Sequence, residues 1–259
     1  MIVERNRMEV MCQVCGKPVY LQDVPDDMSP LFRKSLLNVA RMAVHGGPGD
    51  KEQTCWSKMY WRWAKYREEE AVVQRMATLG GVCPPFFQET KLDHAMMRTP
   101  PALAALAWKW GERGLLLHGK TDQCKSRCAY EILRREHMAG RACVQYNAGE
   151  WVLACLTLRT DYKAGLRWIN TVKDCDLFMI DDFGKARLAY RDQEATQATD
   201  LLFDVCEYRF KQKLPVIMTT NLSGKEFVAK WGEHGKAFAR RLAEFCDVIE
   251  FPRRAQGML

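Results

Sequence analysis

From residue 102 onward, short apolar runs alternate with stretches of helical spacing, and this rhythm predicts most of a fold. Residues 102–110 read as a helix that Gly111 ends, and 115–118 as a short buried strand. A helix over 126–138, a strand over 142–146 and a helix over 150–158 follow, then an apolar strand at 176–180. Residues 193–210 predict a long helix, with Ala198, Leu201, Leu202, Val205 and Tyr208 at helical spacing. The rest predicts a strand at 214–219, two helices at 225–231 and 236–246, and a last strand at 248–251. Strands that are apolar throughout and separated by helices imply a parallel sheet covered on both faces, with right-handed connections. Before this region the rhythm is absent. Residues 1–83 are irregular and end in a charged, helix-like stretch, and the pairs Pro84-Pro85 and Pro100-Pro101 bracket a connector. The expected division is an N-terminal domain at 1–83, a connector at 84–101 and an α/β domain at 102–259.

The chain has 259 residues, enough for an α/β domain of about 150–200 residues and a smaller appendage. No apolar run approaches the roughly 20 residues of a membrane span. Residues 1–7 lack the apolar core of a signal peptide. A cytoplasmic protein with no membrane partner is expected. The net charge of +7 is spread along the chain and favours an anionic partner without naming one. Eleven cysteines in a chain read as cytoplasmic argue against a disulfide framework. Cys128, Cys143, Cys155, Cys175 and Cys206 lie in apolar stretches and read as small core residues.

The most informative segment is Gly119-Lys120-Thr121-Asp122-Gln123-Cys124-Lys125-Ser126, between an apolar strand and a helix. Strand, glycine turn, lysine, hydroxyl and helix form the layout of a phosphate-binding loop. Asp122 and Cys124 stand where glycines would let backbone N–H groups close on phosphate. A Cβ at Cys124 costs energy if its φ is positive. Two further pieces follow in order. Asp176-Leu-Phe-Met-Ile-Asp181-Asp182 is a buried strand with two acids at its C-terminal end, the edge where open α/β sheets bind ligands. Asp181 there suits Mg²⁺ beside the Ser126 hydroxyl, and Asp182 suits an attacking water. Pro215-Val-Ile-Met-Thr-Thr-Asn221 is a second apolar strand with a polar tip, which puts Asn221 near the terminal phosphate. Arg240-Arg241 lies on a predicted helix near the sheet rim, where an arginine can reach a neighbouring subunit's nucleotide.

These motifs, with Asn147-Ala-Gly-Glu-Trp151 and Cys83-Pro-Pro-Phe-Phe-Gln-Glu-Thr90, resemble the AAA+ ATPases of the DnaC/DnaI helicase-loader and IstB group over about residues 83–252. The resemblance implies an α/β AAA+ P-loop NTPase core, a central parallel sheet flanked by helices. It places residues 119–126 as Walker A around ATP, Asp181 and Asp182 as Walker B with Mg²⁺, and Asn221 as sensor 1. Arg241, or Arg240 beside it, corresponds to the arginine finger acting in trans, and Arg253 or Arg254 to the sensor 2 arginine. It further implies self-association through the ATPase domain and an ATP-dependent loader that places a replicative hexameric helicase on single-stranded DNA. An IstB-like transposition helper and a non-hydrolysing adaptor with a degenerate loop are the alternatives.

Cys12-Gln-Val-Cys15-Gly16 resembles half of a zinc knuckle. Cys55 and His45 are the preferred remaining ligands for Zn²⁺, with Cys83 as another candidate and free thiols as the plain alternative. Trp56, Tyr60 and Trp63 share a helical face interleaved with basic residues. Such a face stacks nucleic-acid bases, anchors a partner protein, or packs on a small zinc-stapled core.

Overall fold

A computed structural model describes residues 8–11, 17–21, 55–121, 123–184 and 192–252. The chain divides into two compact units, Met1–Val73 and Gln74–Leu259; the division falls inside a long helix, ten residues before the one read from the sequence.

In the first unit, β1 (Met8–Met11) pairs antiparallel with β2 (Pro18–Leu21), in a register that sets Met11 opposite Pro18. The link between them contains Cys12 and Cys15, which lie outside the described residues, as does His45. Cys55 is the first residue of α1 (Cys55–Val82), the helix that carries Trp56, Tyr60 and Trp63. Among the described residues, no three His, Cys, Asp or Glu side chains gather as a metal-binding group.

The second unit is built on β3 (Gly114–Gly119), β4 (Cys143–Asn147), β5 (Leu177–Phe183), β6 (Val216–Thr220) and β7 (Cys246–Phe251). They form one all-parallel sheet in the order β4-β5-β6-β3-β7, the α/β arrangement expected. The apolar run of β5 is continuous because both of its faces are covered. Leu177 and Met179 join Leu115, Leu117, Ile132 and Ile217 in a core on one side; Phe178 and Ile180 join Trp151, Val205, Val216 and Met218 on the other.

The helices differ from expectation in three instructive places. Pro100 and Pro101 do not break the chain but begin α3 (Pro100–Leu106), since proline suits the first helical turn, whose N–H groups have no partner anyway. The connector before it is ordered. It holds α2 (Pro85–Gln88) and a 3-10 turn at Ala95–Arg98, and Phe87 stacks on Tyr130 with centroids 4.1 Å apart. After α4 (Lys125–Met138) and α5 (Ala148–Thr160) comes α6 (Tyr162–Asp174), to which the sequence reading assigned no element. Its signal is Gly165, Ile169 and Val172, buried at i, i+4 and i+7 behind an Asp161 N-cap. A glycine on that stripe weakens the pattern. α7 (Asp192–Lys211) agrees with expectation. The two helices expected at 225–231 and 236–246 are present; they meet at Gly232 (φ 60°, ψ −140°), a conformation in which a Cβ is strained, and are labelled together as α8 (Gly224–Phe245).

A candidate nucleotide site at the strand ends

β3 delivers the predicted phosphate loop to the C-terminal edge of the sheet. Gly119 is required there: its φ is 132°, and a Cβ would stand 2.1 Å from the Phe251 carbonyl oxygen of β7. Gln123 donates to the Thr121 carbonyl at 3.4 Å, while Asp122 lies outside the described residues. Cys124 caps α4 with φ 62° and ψ 16°, the left-handed conformation that the missing glycine would have taken freely. For a residue with a Cβ this costs about 1–2 kcal/mol. Strain at this one residue is the cost of starting α4 from a left-handed turn without glycine. The first turn of α4, whose N–H groups have no intrahelical acceptor, begins at that point.

Lys125 is only 5% exposed. Its Nζ donates to the Lys120 carbonyl at 2.6 Å and to Asn221 Oδ1 at 2.9 Å. Asn221, at the tip of β6, donates through Nδ2 to Asp182 Oδ1 at 3.4 Å. Ser126 Oγ donates to Asp181 Oδ1 at 2.8 Å, and Thr219 Oγ1 donates to the same oxygen at 2.5 Å. Lys125, Ser126, Asp181, Asp182 and Asn221, up to 96 positions apart in sequence, thus meet in one place. Burial pushes the Asp181 carboxyl upward from its ordinary pKa; the hydrogen bonds from Thr219 and Ser126 oppose that, and the neighbouring Asp182 charge adds to it.

The acids reach this network through an irregularity. The β5–β6 register slips between Ile180 and Phe183, and Asp182 takes a φ of 55°. In an unbroken strand adjacent side chains point to opposite faces. Here the bulge lets both carboxylates touch residues of the same site.

Beside Cys124 lies a cavity of about 270 Å³ lined by Glu89, Lys91, His94, Met97, Cys124 and Arg127. Four of these come from the connector, which the sequence presented as a link and the structure makes a wall. The Arg127 guanidinium lies 4.5 Å over the Phe86 ring. No motif announced this; the aromatic pair in the connector was its only sign. On the loop's other flank, Lys120 pairs with Glu226 at 3.4 Å. Glu226 belongs to the capping box that starts α8. The Ser223 N–H and hydroxyl, and then Lys120, pull its carboxyl down to about 2.

Arg240 and Arg241 are not brought to this network. α8 leaves β6 at the strand ends and finishes where β7 begins, so both arginines sit at the opposite rim. Arg113, just ahead of β3, donates there to Asp247 and to the Glu244 carbonyl. Arg241 is 39% exposed in its side chain and pairs with Glu207 at 3.6 Å and Glu244 at 3.3 Å. Arg240 is exposed.

No protein-family model and no curated protein matches the sequence. Solved structures do. The crystal structure of DnaI is similar with a TM-score of 0.50 at 14% identity, over 67% of this chain and 94% of that one. The DnaC helicase loader gives 0.48 at 15%, over 65% and 99%. AMPPCP-bound DnaA from Aquifex aeolicus gives 0.45 at 13%, over 57% of this chain and 44% of that one, so the likeness spans less than half of that DnaA chain. The DnaI likeness joins the strand order and the loop-and-acid layout: the described residues from 74 to 252 have the α/β fold of an AAA+ P-loop NTPase.

Proposed function

We propose that the chain is an ATP-dependent switch that loads a replicative hexameric helicase onto single-stranded DNA. The observation that supports this most is the connected set Lys125–Asn221–Asp182 and Ser126–Asp181 at the strand ends. The residues present fit a nucleotide with its metal ion. Lys125 is a buried cation at a loop, a hydroxyl and an acid stand paired beside it, and the cavity next to Cys124 has room for a base. Ser126 and Asp181 would hold Mg²⁺, which when bound neutralises charge on the phosphate oxygens. Lys125 would exchange the Lys120 carbonyl and Asn221 for phosphate oxygens, and Asn221 and Asp182 would orient a water. Arg241 or Arg240, at the far rim, would serve the site of an adjoining copy. On α6 the exposed Tyr162, Lys163 and Arg167 present a ring and two cations suited to a DNA strand. Cys12, Cys15, His45 and Cys55 would hold Zn²⁺ in the N-terminal unit. The β1–β2 pairing supports this by placing both members of the Cys-x-x-Cys in one short link.

The left-handed Cys124 favours a second reading, an adaptor that binds nucleotide without turning it over. Binding and hydrolysis of ATP by the full chain separate the two. A loader binds ATP, loses it in Lys125→Ala, hydrolyses it slowly and co-purifies with a hexameric helicase. Binding with no turnover under any condition supports the adaptor. No binding at all defeats both.

A further inference from the structure

We infer that Thr219 is the positioning residue that aims Asp181 at the metal side of the site; this rests on the nucleotide reading above. Nothing in the loop or acid motifs points to it. β6 is buried along its whole length, and Thr219, following the apolar Val216–Met218, is fully inaccessible. A hydroxyl there is unfavourable unless both its donor and its acceptor capacity are used. Both are. Oγ1 donates to Asp181 Oδ1 at 2.5 Å and accepts from the Asp182 N–H at 2.8 Å.

The second bond explains the choice of residue. A bulge leaves one strand N–H without its ladder partner. At this bulge the Asp182 N–H is taken by the Thr219 hydroxyl instead. One side chain therefore closes the irregular strand and fixes the acid that the irregularity presents. The next residue, Thr220, latches the same strand one step further on, donating to the Phe183 carbonyl at 2.7 Å, but it does not touch either acid in this way. Ser126 and Thr219 converge on a single carboxylate oxygen. With Ser126 given over to the ion, Thr219 is the hydroxyl that keeps the carboxylate aimed.

The test measures divalent-ion dependence of nucleotide binding by the full chain, using a fluorescent ATP analogue titrated with Mg²⁺ and, separately, Mn²⁺ binding by paramagnetic resonance. Outer-sphere partners of metal ligands are commonly worth roughly 10–100-fold in metal affinity. Thr219→Val should need that much more Mg²⁺, while its affinity for the analogue in EDTA stays that of the parent. Thr219→Ser should restore the parent's Mg²⁺ dependence. Should the valine variant not fold, Thr219→Cys, which keeps a weak donor, should fall between serine and valine. Parent-like Mg²⁺ dependence in folded valine or cysteine variants overturns the assignment, as does equal loss of analogue with and without Mg²⁺. If the parent chain itself binds no analogue, the nucleotide reading fails first and takes this assignment with it.

Discussion

Among the described residues of the second unit two cations are buried, one at each rim of the sheet, and they are held in opposite ways. Arg209 is wholly inaccessible. Its guanidinium takes the carbonyls of Val172, Lys173 and Cys175 through Nη1 and those of Pro215 and Asp176 through Nη2. These are carbonyls at the end of α6, where a helix has no intrahelical donors left, and around the starts of β5 and β6. Burial presses its pKa downward, yet arginine keeps its proton. Lys125, at the other rim, donates to a loop carbonyl and to a side-chain amide. Five backbone oxygens fixed by folding make a permanent seat. A loop carbonyl and an asparagine that can turn make a seat that an incoming anion can take over. A buried charge serves structure when its partners belong to the backbone frame, and serves binding when they can be exchanged.

The strongest way to break this contrast is Arg209→Leu. Unsatisfied buried carbonyls cost about 1–3 kcal/mol each, so urea denaturation should show a loss of about 3 kcal/mol or more. Arg209→Lys should recover little, because three donors on one nitrogen cannot span the same set. Lys125→Met should behave in reverse. Binding of ATP should fall by roughly 100-fold, about 2.7 kcal/mol, with folding stability held to within about 1 kcal/mol. If Lys125→Met proves as destabilising as Arg209→Leu, the two seats are alike and the contrast is wrong.

Cys124→Gly sharpens the same picture with a smaller effect. It removes about 1–2 kcal/mol of left-handed strain and returns part of that as unfolded-state entropy. ATP binding should tighten and thermal stability should stay level or rise slightly. The smallest effect concerns an exposed cation. Lys120 meets Glu226, whose carboxyl lies near 2 in the folded chain against an ordinary 4.5. The stabilisation this gives is present above about pH 4.5 and disappears as pH falls toward 2. The stability difference between the parent chain and Glu226→Gln should therefore shrink over that window, while Ser223→Ala should cost about 1 kcal/mol at neutral pH.

How much of this was legible in the sequence follows from range. The parallel sheet was readable because strands buried on both faces are apolar without interruption, as Leu177–Ile180 shows. The strain at Cys124 was readable because the loop pattern fixes which position must turn left-handed. Arg209 was not, because in Glu-Tyr-Arg-Phe-Lys an arginine looks like any solvated helix residue; its carbonyl partners lie as far as 37 positions away. Thr219 was hidden for the same reason. Its role depends on a register slip in a neighbouring strand, which no local pattern encodes. The arginine pair was recognisable as a motif, but only the parallel course of β6 and β7 shows that α8 carries it to the rim away from its own chain's loop.

The interruption at Gly232 bears on what selection can do with α8. Its first half answers to the phosphate loop and to β5, through Glu226, the Lys230 contact with the Gly184 carbonyl, and Trp231 stacked on Phe183. Its second half answers to α7, through Phe238 stacked on Phe203 and Arg241 beside Glu207. A continuous rod would force any tilt at one end upon the other. A break of one residue lets the two halves tilt separately, so that a change in the packing against α7 need not be passed on to the residues beside the loop after β3.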